Sequence, residues 1–391
     1  MKKHLLKNLA VLLIAELFTY NVFAQSQAAS FLKAGSESAN DFANAYLSPL
    51  MKGWGTGLND GWNNNTAKPL ETLGFDVRFN SGAFFVPSKD QSYNLSDVIH
   101  NSPSSSLQIV LQPNTPNQQP TVLGQNTKDA SGNNANGGLD IVNTFHLPTG
   151  DTNVKVTGFK LPNGLGVGAF LTIPSFQISV GTIKNTEVMF RFLPTTSYSG
   201  TGFTMNTWGI GVKHDIKQWI PALKMTPIWD WSAYAAFSSF NTAYAFGNNG
   251  LQPDPGAYNP NPSTDYSNQK IVLAGNAFTF GTIVSAKFLF FTPYIGLNYS
   301  YSSFDLKFTG NYPVTVPNDN PTQIASGQYS KIQTQTDPIS ANGTLSGFRA
   351  DIGFRLKFFP VIIGTNFSLG AYNSVTVSLG FNMQSILPPK F

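Results

Sequence analysis

The feature that most constrains the fold is a strict alternation of apolar and polar side chains near the end of the chain. In residues 374–383, "SVTVSLGFNM", Val375, Val377, Leu379 and Phe381 take alternate places, with small or polar residues between them. Successive side chains of a β-strand point to opposite faces, so this pattern predicts a strand with one apolar and one polar face. Chain ends usually fray, and pairing with the first strand of a closed sheet would keep this one ordered.

The alternation recurs in other segments, where the polar face often carries charge. Residues 346–358 are an example, because apolar side chains there alternate with arginine, lysine and aspartate. Ten residues tilted by about 40° cover roughly 25 Å, the height of the lipid-facing band of a membrane barrel, whereas sandwich strands usually run to about five or six residues. The predicted strands are 73–86, 174–184, 187–195, 203–215, 228–244, 270–288, 291–308, 346–358, 362–371 and 374–383.

The predicted fold class is therefore all-β, an antiparallel transmembrane β-barrel of roughly 10 to 14 strands with a short N-terminal helical segment. Residues 88–173 are irregular and could hold two or four further strands or one large folded loop. The alternation also changes phase between Tyr301 and Phe304, which a bulge or an extension above the membrane would explain.

Composition and the N-terminal residues agree with export. Charged residues make up 11% of the chain, less than half of the roughly 25% usual in soluble domains. Residues 1–24 read as a secretory signal peptide, with a basic start, the apolar run "LAVLLIA" and a small-x-Ala end at Ala24. Cysteine is absent, which excludes disulfides and a lipid-modified cysteine. The small net charge of +4 favours no nucleic-acid partner.

The expected domains are the signal peptide at 1–24, an N-terminal helical segment at 25–71 and the barrel at 72–391. Small, polar and apolar residues at 26–58 predict short helices that end before Pro49. This segment could cap the periplasmic mouth, insert into the lumen as a plug, or be disordered, and "GLNDGWNNNTAKP" would follow as a polar turn. Short links at 185–186, 289–290 and 359–361 lie opposite the long loops, which is typical of a barrel in the outer membrane of a Gram-negative bacterium.

Four sequence features resemble a known family. The stretches "AYLSPLMKGWGTGLNDGWNNNTAKP", "LGFDV" and "WGIGVKHDIKQWIP", with the terminal Phe391, resemble a family of outer-membrane β-barrel proteins of unknown function from Bacteroidota-type bacteria. The resemblance covers about residues 30–383 and implies fold and location more than activity. An N-terminal segment before a barrel of this size is also distantly similar to the FadL-type transporters of hydrophobic compounds. No ligand-binding residue of that family can be matched here.

The sequence offers little enzyme chemistry. After the signal peptide only His100, His146 and His214 remain. A barrel hydrolase would need a serine and a histidine on adjacent strands, and His214 shares the parity of the outward residues near the periplasmic boundary. We therefore expect no catalytic residue, metal site or cofactor.

Charged residues of the predicted strands share the inward face. They form either a ladder of salt bridges that fills the interior or a permeation pathway. The predicted lumen-facing residues are Asp76, Arg78, Glu187, Arg191, Lys213, Asp215, Asp230, Arg349, Asp351, Arg355 and Lys357.

Three functions follow as hypotheses. The first is a channel or transporter for small molecules, hydrophobic ones included. The second is a structural or adhesive barrel with a sealed lumen and functional extracellular loops, and a remote third is a barrel enzyme. The expected partners are outer-membrane lipid, the barrel-assembly machinery during insertion and a small-molecule ligand.

Overall fold

The structure is a computed structural model that describes residues 36–101, 107–128, 131–147, 150–198, 202–224, 226–247 and 250–383. The predicted signal peptide and Phe391 lie outside the described residues.

Ten antiparallel strands form one closed up-and-down barrel, as the alternation predicted. Each strand pairs with its neighbours in chain order, and the last pairs with the first from Phe75 opposite Met383 to Phe85 opposite Asn373. The terminal strand is thus paired on both edges. The strands are β1 Phe75–Phe85, β2 Ser175–Thr182, β3 Thr186–Tyr198, β4 Phe203–Asp215, β5 Trp229–Ala245, β6 Lys270–Ala286, β7 Phe291–Thr309, β8 Ile339–Phe358, β9 Val361–Leu369 and β10 Asn373–Met383.

The two ends of the barrel differ. At one end, here called the turn end, links 183–185, 287–290 and 359–360 are tight, and link 216–228 contains a 3-10 turn, Lys217–Trp219, and a short helix, Pro221–Lys224. The opposite end, here called the loop end, carries the long connections 86–174, 246–269 and 310–338. The predicted asymmetry of loop lengths is therefore present.

The long connections at the loop end are folded. The described residues of 88–173 belong to one large folded loop, the second of the two alternatives. Its longest strands, Gly138–Leu147 and Gly150–Lys160, form a sheet with Leu107–Leu111, and Asn311–Pro317 pairs with Ser330–Thr336 in a second hairpin. The remaining short elements are strands Ser92–Asn94, Gln118–Pro120 and Ala169–Leu171, 3-10 turns Ser88–Asp90 and Leu95–Asp97, and helix Pro321–Ala325.

The N-terminal segment contains one long helix, α1, at Ser36–Asn59. The prediction of short helices that end before Pro49 is wrong, because Pro49 lies inside α1. An internal proline costs about 3 kcal/mol, whereas burial of a large apolar side chain contributes about 1.5–3 kcal/mol, and Phe42, Met51 and Trp54 of α1 are all buried. Tertiary burial therefore outweighs the local signal. No helix among the described residues has the length and apolar character that a membrane span requires.

Helix α1 and the loop after it lie inside the barrel. At the loop end, Asn44 Oδ1 accepts a hydrogen bond from the backbone N–H of Asn342, 2.7 Å away. At the turn end, the N–H of Ala67 donates to Ser285 Oγ at 2.9 Å. The chain therefore enters from the loop end and runs the length of the interior before it turns into β1. The sequence left open a periplasmic cap, a plug in the lumen, or disorder. The described part of the N-terminal segment forms the plug and not the cap.

Three glycines in α1 allow the helix to fit between opposite walls. A Cβ on Gly53 would lie 2.0 Å from the ring of Phe84 in β1, and one on Gly55 would lie 2.1 Å from Ser302 Oγ in β7. Gly57 approaches Thr172 in a similar way. Side chains at these positions would not fit without movement of the wall. Glycine therefore occupies them despite its low helix propensity, because it lets the helix approach the wall closely.

The interior has an apolar layer and a polar layer. Near the loop end, Phe84, Phe240 and Phe304 point inward and pack around α1, while charged side chains fill the half nearer the turn end. The apolar pattern changes phase after Tyr301, as the sequence indicates, but without a bulge, because β7 keeps one continuous register with both neighbours. Apolar residues face inward there because they contact the apolar part of α1.

The outer face of the barrel is apolar around its circumference. The exposed outward side chains include Val77, Phe190, Trp208, Ile210, Phe278, Phe280, Ile295, Leu297, Phe348, Ile352, Phe367 and Leu379. Water would not solvate such a continuous surface, and it matches the lipid-facing band of a membrane barrel.

Candidate functional site: the occupied barrel interior

The eleven charged residues predicted to face the lumen all stand at inward positions of their strands. Eight of them are at least nine-tenths buried: Asp76, Arg78, Glu187, Arg191, Lys213, Arg349, Asp351 and Arg355. The other three, Asp215, Asp230 and Lys357, are half-buried at the turn end. The plug covers the buried eight, so they form a packed layer.

Arg78 and Asp76 form a bidentate ion pair on β1. Arg78 Nε donates to Asp76 Oδ1 at 2.7 Å and Nη2 donates to Oδ2 at 2.8 Å. The third guanidinium nitrogen, Nη1, donates to Asn65 Oδ1 of the plug at 3.1 Å, and Asn382 of β10 donates to Asp76 Oδ2 at 3.0 Å. This pair therefore connects the first strand, the last strand and the plug where the barrel closes.

Lys213 and Glu187 form a second buried pair between β4 and β3. Lys213 Nζ lies 3.1 Å from Glu187 Oε2 and also donates to the carbonyl oxygens of Asn63 and Thr66 at 3.3 and 3.2 Å. Glu187 accepts hydrogen bonds from Asn64 Nδ2 and from the backbone N–H of Leu70. Both charges are thus used to hold the plug loop 60–70.

Arg349 and Asp60 form the third pair, between β8 and the plug. Arg349 Nη2 donates to Asp60 Oδ1, and Nη1 donates to the carbonyl oxygen of Thr56 at 3.3 Å. On the same strand, Asp351 accepts from Ser368 Oγ at 2.6 Å and Asn298 Nδ2 at 3.0 Å. Neutral donors therefore stabilise Asp351, while Arg349 anchors the end of α1.

Arg191 binds the plug without a carboxylate. Its guanidinium donates to the carbonyl oxygens of Leu58 at 3.1 Å and Asp60 at 2.7 Å, and to Gln177 Oε1 at 2.9 Å. It also lies over the ring of Trp62, 4.1 Å from the centroid, which adds a cation–π contact.

The four other charged residues lie nearer the turn end. Asp230 Oδ1 lies 3.7 Å from Lys217 Nζ in the longer turn. Asp215 Oδ2 accepts a weak hydrogen bond from Asn185 at 3.5 Å, and its Oδ1 is buried with no hydrogen-bond partner among the described residues. Arg355 and Lys357, on β8, form no ion pair with any carboxylate of the described residues.

Sequence reasoning missed the plug's own polar residues. The stretch "GLNDGWNNNTAKP" was predicted to be a polar turn, but its first three residues end α1 and residues 60–67 form a buried loop, in which Asn63, Asn64 and Asn65 are each at most 3% exposed. Asn64 and Asn65 have φ angles of 56°, a left-handed conformation that asparagine tolerates better than most residues. The sequence feature that could have indicated a buried polar loop is the run of three consecutive asparagines directly after a tryptophan.

Of the histidines whose side chains the structure describes, His214 and His100 lie at opposite ends of the barrel. His214 faces the outer surface near the turn end, where Thr186 Oγ1 lies 2.8 Å from Nδ1 and Trp219 Nε1 donates to Nε2 at 2.9 Å. His100 pairs with Asp41 at the loop end at 2.6 Å. His214 also borders an open apolar groove of about 540 Å³ on the outer face, over Ala233 and Ala235.

Three solved structures are similar to this chain at very low identity. The attachment invasion locus protein Ail of Yersinia pestis is 7% identical, with 51% of this chain and 96% of that chain covered and a TM-score of 0.23. The NalP autotransporter translocator domain of Neisseria meningitidis is 10% identical, covering 84% and 92%, with a TM-score of 0.27. The Escherichia coli outer-membrane transporter YddB is 9% identical, covering 80% and 44%, with a TM-score of 0.27.

These TM-scores carry no argument of their own, and the barrel assignment rests on the strand pairing described above. Among curated proteins, none matches the sequence. A family model does match, over residues 1–383. The chain therefore belongs to the family of unknown function DUF6588.

Proposed function

We propose that this chain is an outer-membrane β-barrel whose lumen is closed at rest by its own N-terminal segment, and that it acts through the folded surface at its loop end. The observation that carries the proposal is the occupied interior. Helix α1 and loop 60–70 run from one end of the barrel to the other, and three buried ion pairs and Arg191 hold them to the wall.

The loop end supports the second half of the proposal. A barrel needs only short connections to close, yet here the loops form their own sheet and hairpin, with a buried core that includes Leu123, Leu139 and Tyr312. Lys331 of the hairpin donates to Asp319 and holds the pKa of that carboxyl below its usual range. Folded loops of this size are typical of binding surfaces.

The location and partners belong to the same proposal. The apolar outer face supports contact with membrane lipid, and insertion would require the barrel-assembly machinery of a Gram-negative envelope. We also propose, as the sequence led us to expect, that the protein comes from a Bacteroidota-type bacterium and is exported by its signal peptide. We also propose that the protein is not an enzyme, because His214 is engaged with Thr186 and Trp219 at the outer surface.

Passage of small molecules is the second candidate, favoured by a polar seam along β1 and β10. Asn80, Ser374 and Thr376 point inward there, and their buried side-chain polar atoms have no hydrogen-bond partners among the described residues. Gly61 of the plug leaves only the space of about one methyl group beside Asn80 and Thr376, because a Cβ there would contact them at 3.7–3.8 Å and Arg191 Nη2 at 3.5 Å. The apolar layer near the loop end would suit hydrophobic molecules, as in the distantly similar FadL-type transporters, if α1 moved.

Planar-bilayer conductance and liposome swelling separate the two candidates. We expect no steady conductance from the full mature chain and clear conductance from a variant without residues 36–66, because the deletion empties the lumen. If that variant does not fold, the Asp60→Asn, Arg349→Gln double variant loosens the plug instead. A matched control shortens the hairpin at 311–336, which leaves the lumen occupied and should stay closed. Steady conductance or solute uptake by the full chain would overturn the closed-barrel proposal and establish the transport candidate.

A further inference from the structure

Arg355 differs from the other buried cations of the interior. Arg78, Lys213 and Arg349 each have a carboxylate partner, and Arg191 has carbonyl and amide oxygens and the Trp62 ring. Arg355 is 8% exposed, its Nε is buried without a hydrogen-bond partner, and no described carboxylate lies within ion-pair distance.

The nearby carboxylates are already in use. The negative charges of Asp76 and Glu187 attract Arg355 from a distance. However, Asp76 forms the bidentate pair with Arg78, and Glu187 forms an ion pair with Lys213. Arg78 itself adds a repulsive positive charge. A buried cation without a partner is strongly unfavourable, so proteins rarely keep one where no anion binds.

Positive charge continues from Arg355 toward the turn end. Lys357 stands two residues further along the same face of β8, roughly 7 Å away by strand geometry, and is half-buried. Lys287, which follows β6, adds positive charge at Lys357, whereas Asp76 and the exposed Glu71 add negative charge there. Thr292 of β7 is the register partner of Arg355 and can supply a hydroxyl. Arg355 is the most deeply buried of these three cations, Lys357 is half-buried and Lys287 is exposed, so the positive charge runs from the interior to the rim at the turn end.

We propose that Arg355 and Lys357 form a binding site for a phosphate group, reached from the turn end of the barrel. The planar guanidinium can donate two parallel hydrogen bonds to an oxyanion, and the ammonium of Lys357 supplies a second positive charge and further donors. The phosphate comes from a free phosphate or phosphate monoester, or from a lipid headgroup at the rim. The site does not depend on whether the barrel transports solutes.

Thermal unfolding of the full mature chain in maltoside micelles, whose detergent carries no phosphate, tests the site, with inorganic phosphate compared with chloride at equal ionic strength. We expect phosphate to raise the unfolding temperature of the wild type. Arg355→Gln should abolish the response, and Lys357→Gln should weaken phosphate binding about tenfold, as loss of a charge-assisted hydrogen bond does. Lys307→Gln removes one positive charge at the loop end of β7 and serves as the matched control, with an unchanged response.

A second measurement separates a binding role from a structural one. Without phosphate, Arg355→Gln should unfold at the same temperature as the wild type or higher, because it removes an unpaired buried charge. Destabilisation of Arg355→Gln as large as that of Arg349→Gln would show an internal partner and overturn the proposal. An equal phosphate response in the wild type, Arg355→Gln and Lys357→Gln would also overturn it.

Nanodiscs that contain phosphatidylglycerol identify the source of the phosphate. If a lipid headgroup fills the site, phosphatidylglycerol retained by the wild type after detergent extraction should be lost from Lys357→Gln. If a free anion fills it, lipid retention is equal and only inorganic phosphate distinguishes the variants. A wild type that responds to neither source would refute the site.

Discussion

The ion pair between Arg349 and Asp60 gives the sharpest test of how the plug is held. Both side chains are at least nine-tenths buried, and Arg349 also donates to the carbonyl oxygen of Thr56 at 3.3 Å. Removing one partner of a buried pair leaves an uncompensated charge, so Asp60→Asn and Arg349→Gln should each lower the free energy of unfolding by about 3–5 kcal/mol. The double variant leaves no charge unpaired. Its loss should be smaller than the sum of the two single losses by about 2–3 kcal/mol.

The assay is reversible urea unfolding of the barrel in detergent micelles, followed by tryptophan fluorescence. Trp54 and Trp62 lie in the plug and report its environment. Arg355→Gln is the matched control, because it removes a buried arginine from the same face of β8 without breaking an ion pair, and it should cost no stability. The reasoning is refuted if either single variant loses less than about 1 kcal/mol, or if the two losses simply add.

Three other predictions follow from the fold. In intact cells, Asp41→Cys, near the start of α1 at the loop end, should react with a membrane-impermeant thiol reagent. Leu289→Cys, at a position that is 89% exposed at the turn end, should not react, and the reverse labelling would contradict the proposed orientation. Gly55→Ala should destabilise the barrel by about 1–3 kcal/mol because its Cβ meets Ser302, although helix propensity alone favours alanine by about 1 kcal/mol. A higher free energy of unfolding in chemical denaturant would disprove the close approach. Phe348→Arg on the outer face should cost about 2–4 kcal/mol in lipid vesicles, and an unchanged stability would argue against lipid contact there.

Strand positions could be predicted from the sequence because each strand carries its own pattern. The predicted segment 203–215 has the bounds of β4, and the other nine predicted strands overlap the observed ones. Side-chain alternation depends only on the backbone geometry of a strand, and the closed barrel requires the last strand to meet the first. The inward parity of Asp76, Arg78 and Glu187 follows from the same rule.

The contents of the interior could not be predicted in this way. Pro49 and three glycines argue locally against a long helix, and "NNNTAKP" has the composition of a surface turn. Both segments take their observed conformations because the barrel wall buries them and supplies hydrogen-bond partners such as Glu187 and Ser285.

The sequence by itself determined the barrel, the difference between its two ends and the set of charges on its inward face, because these depend on patterns repeated within each strand. Only the tertiary structure decided that the lumen is occupied, that the plug enters from the loop end, and that, among the described residues, Arg349 has a carboxylate partner while Arg355 has none. Those properties depend on contacts between residues almost 300 positions apart, such as Arg349 and Asp60. No pattern within a single strand records such contacts.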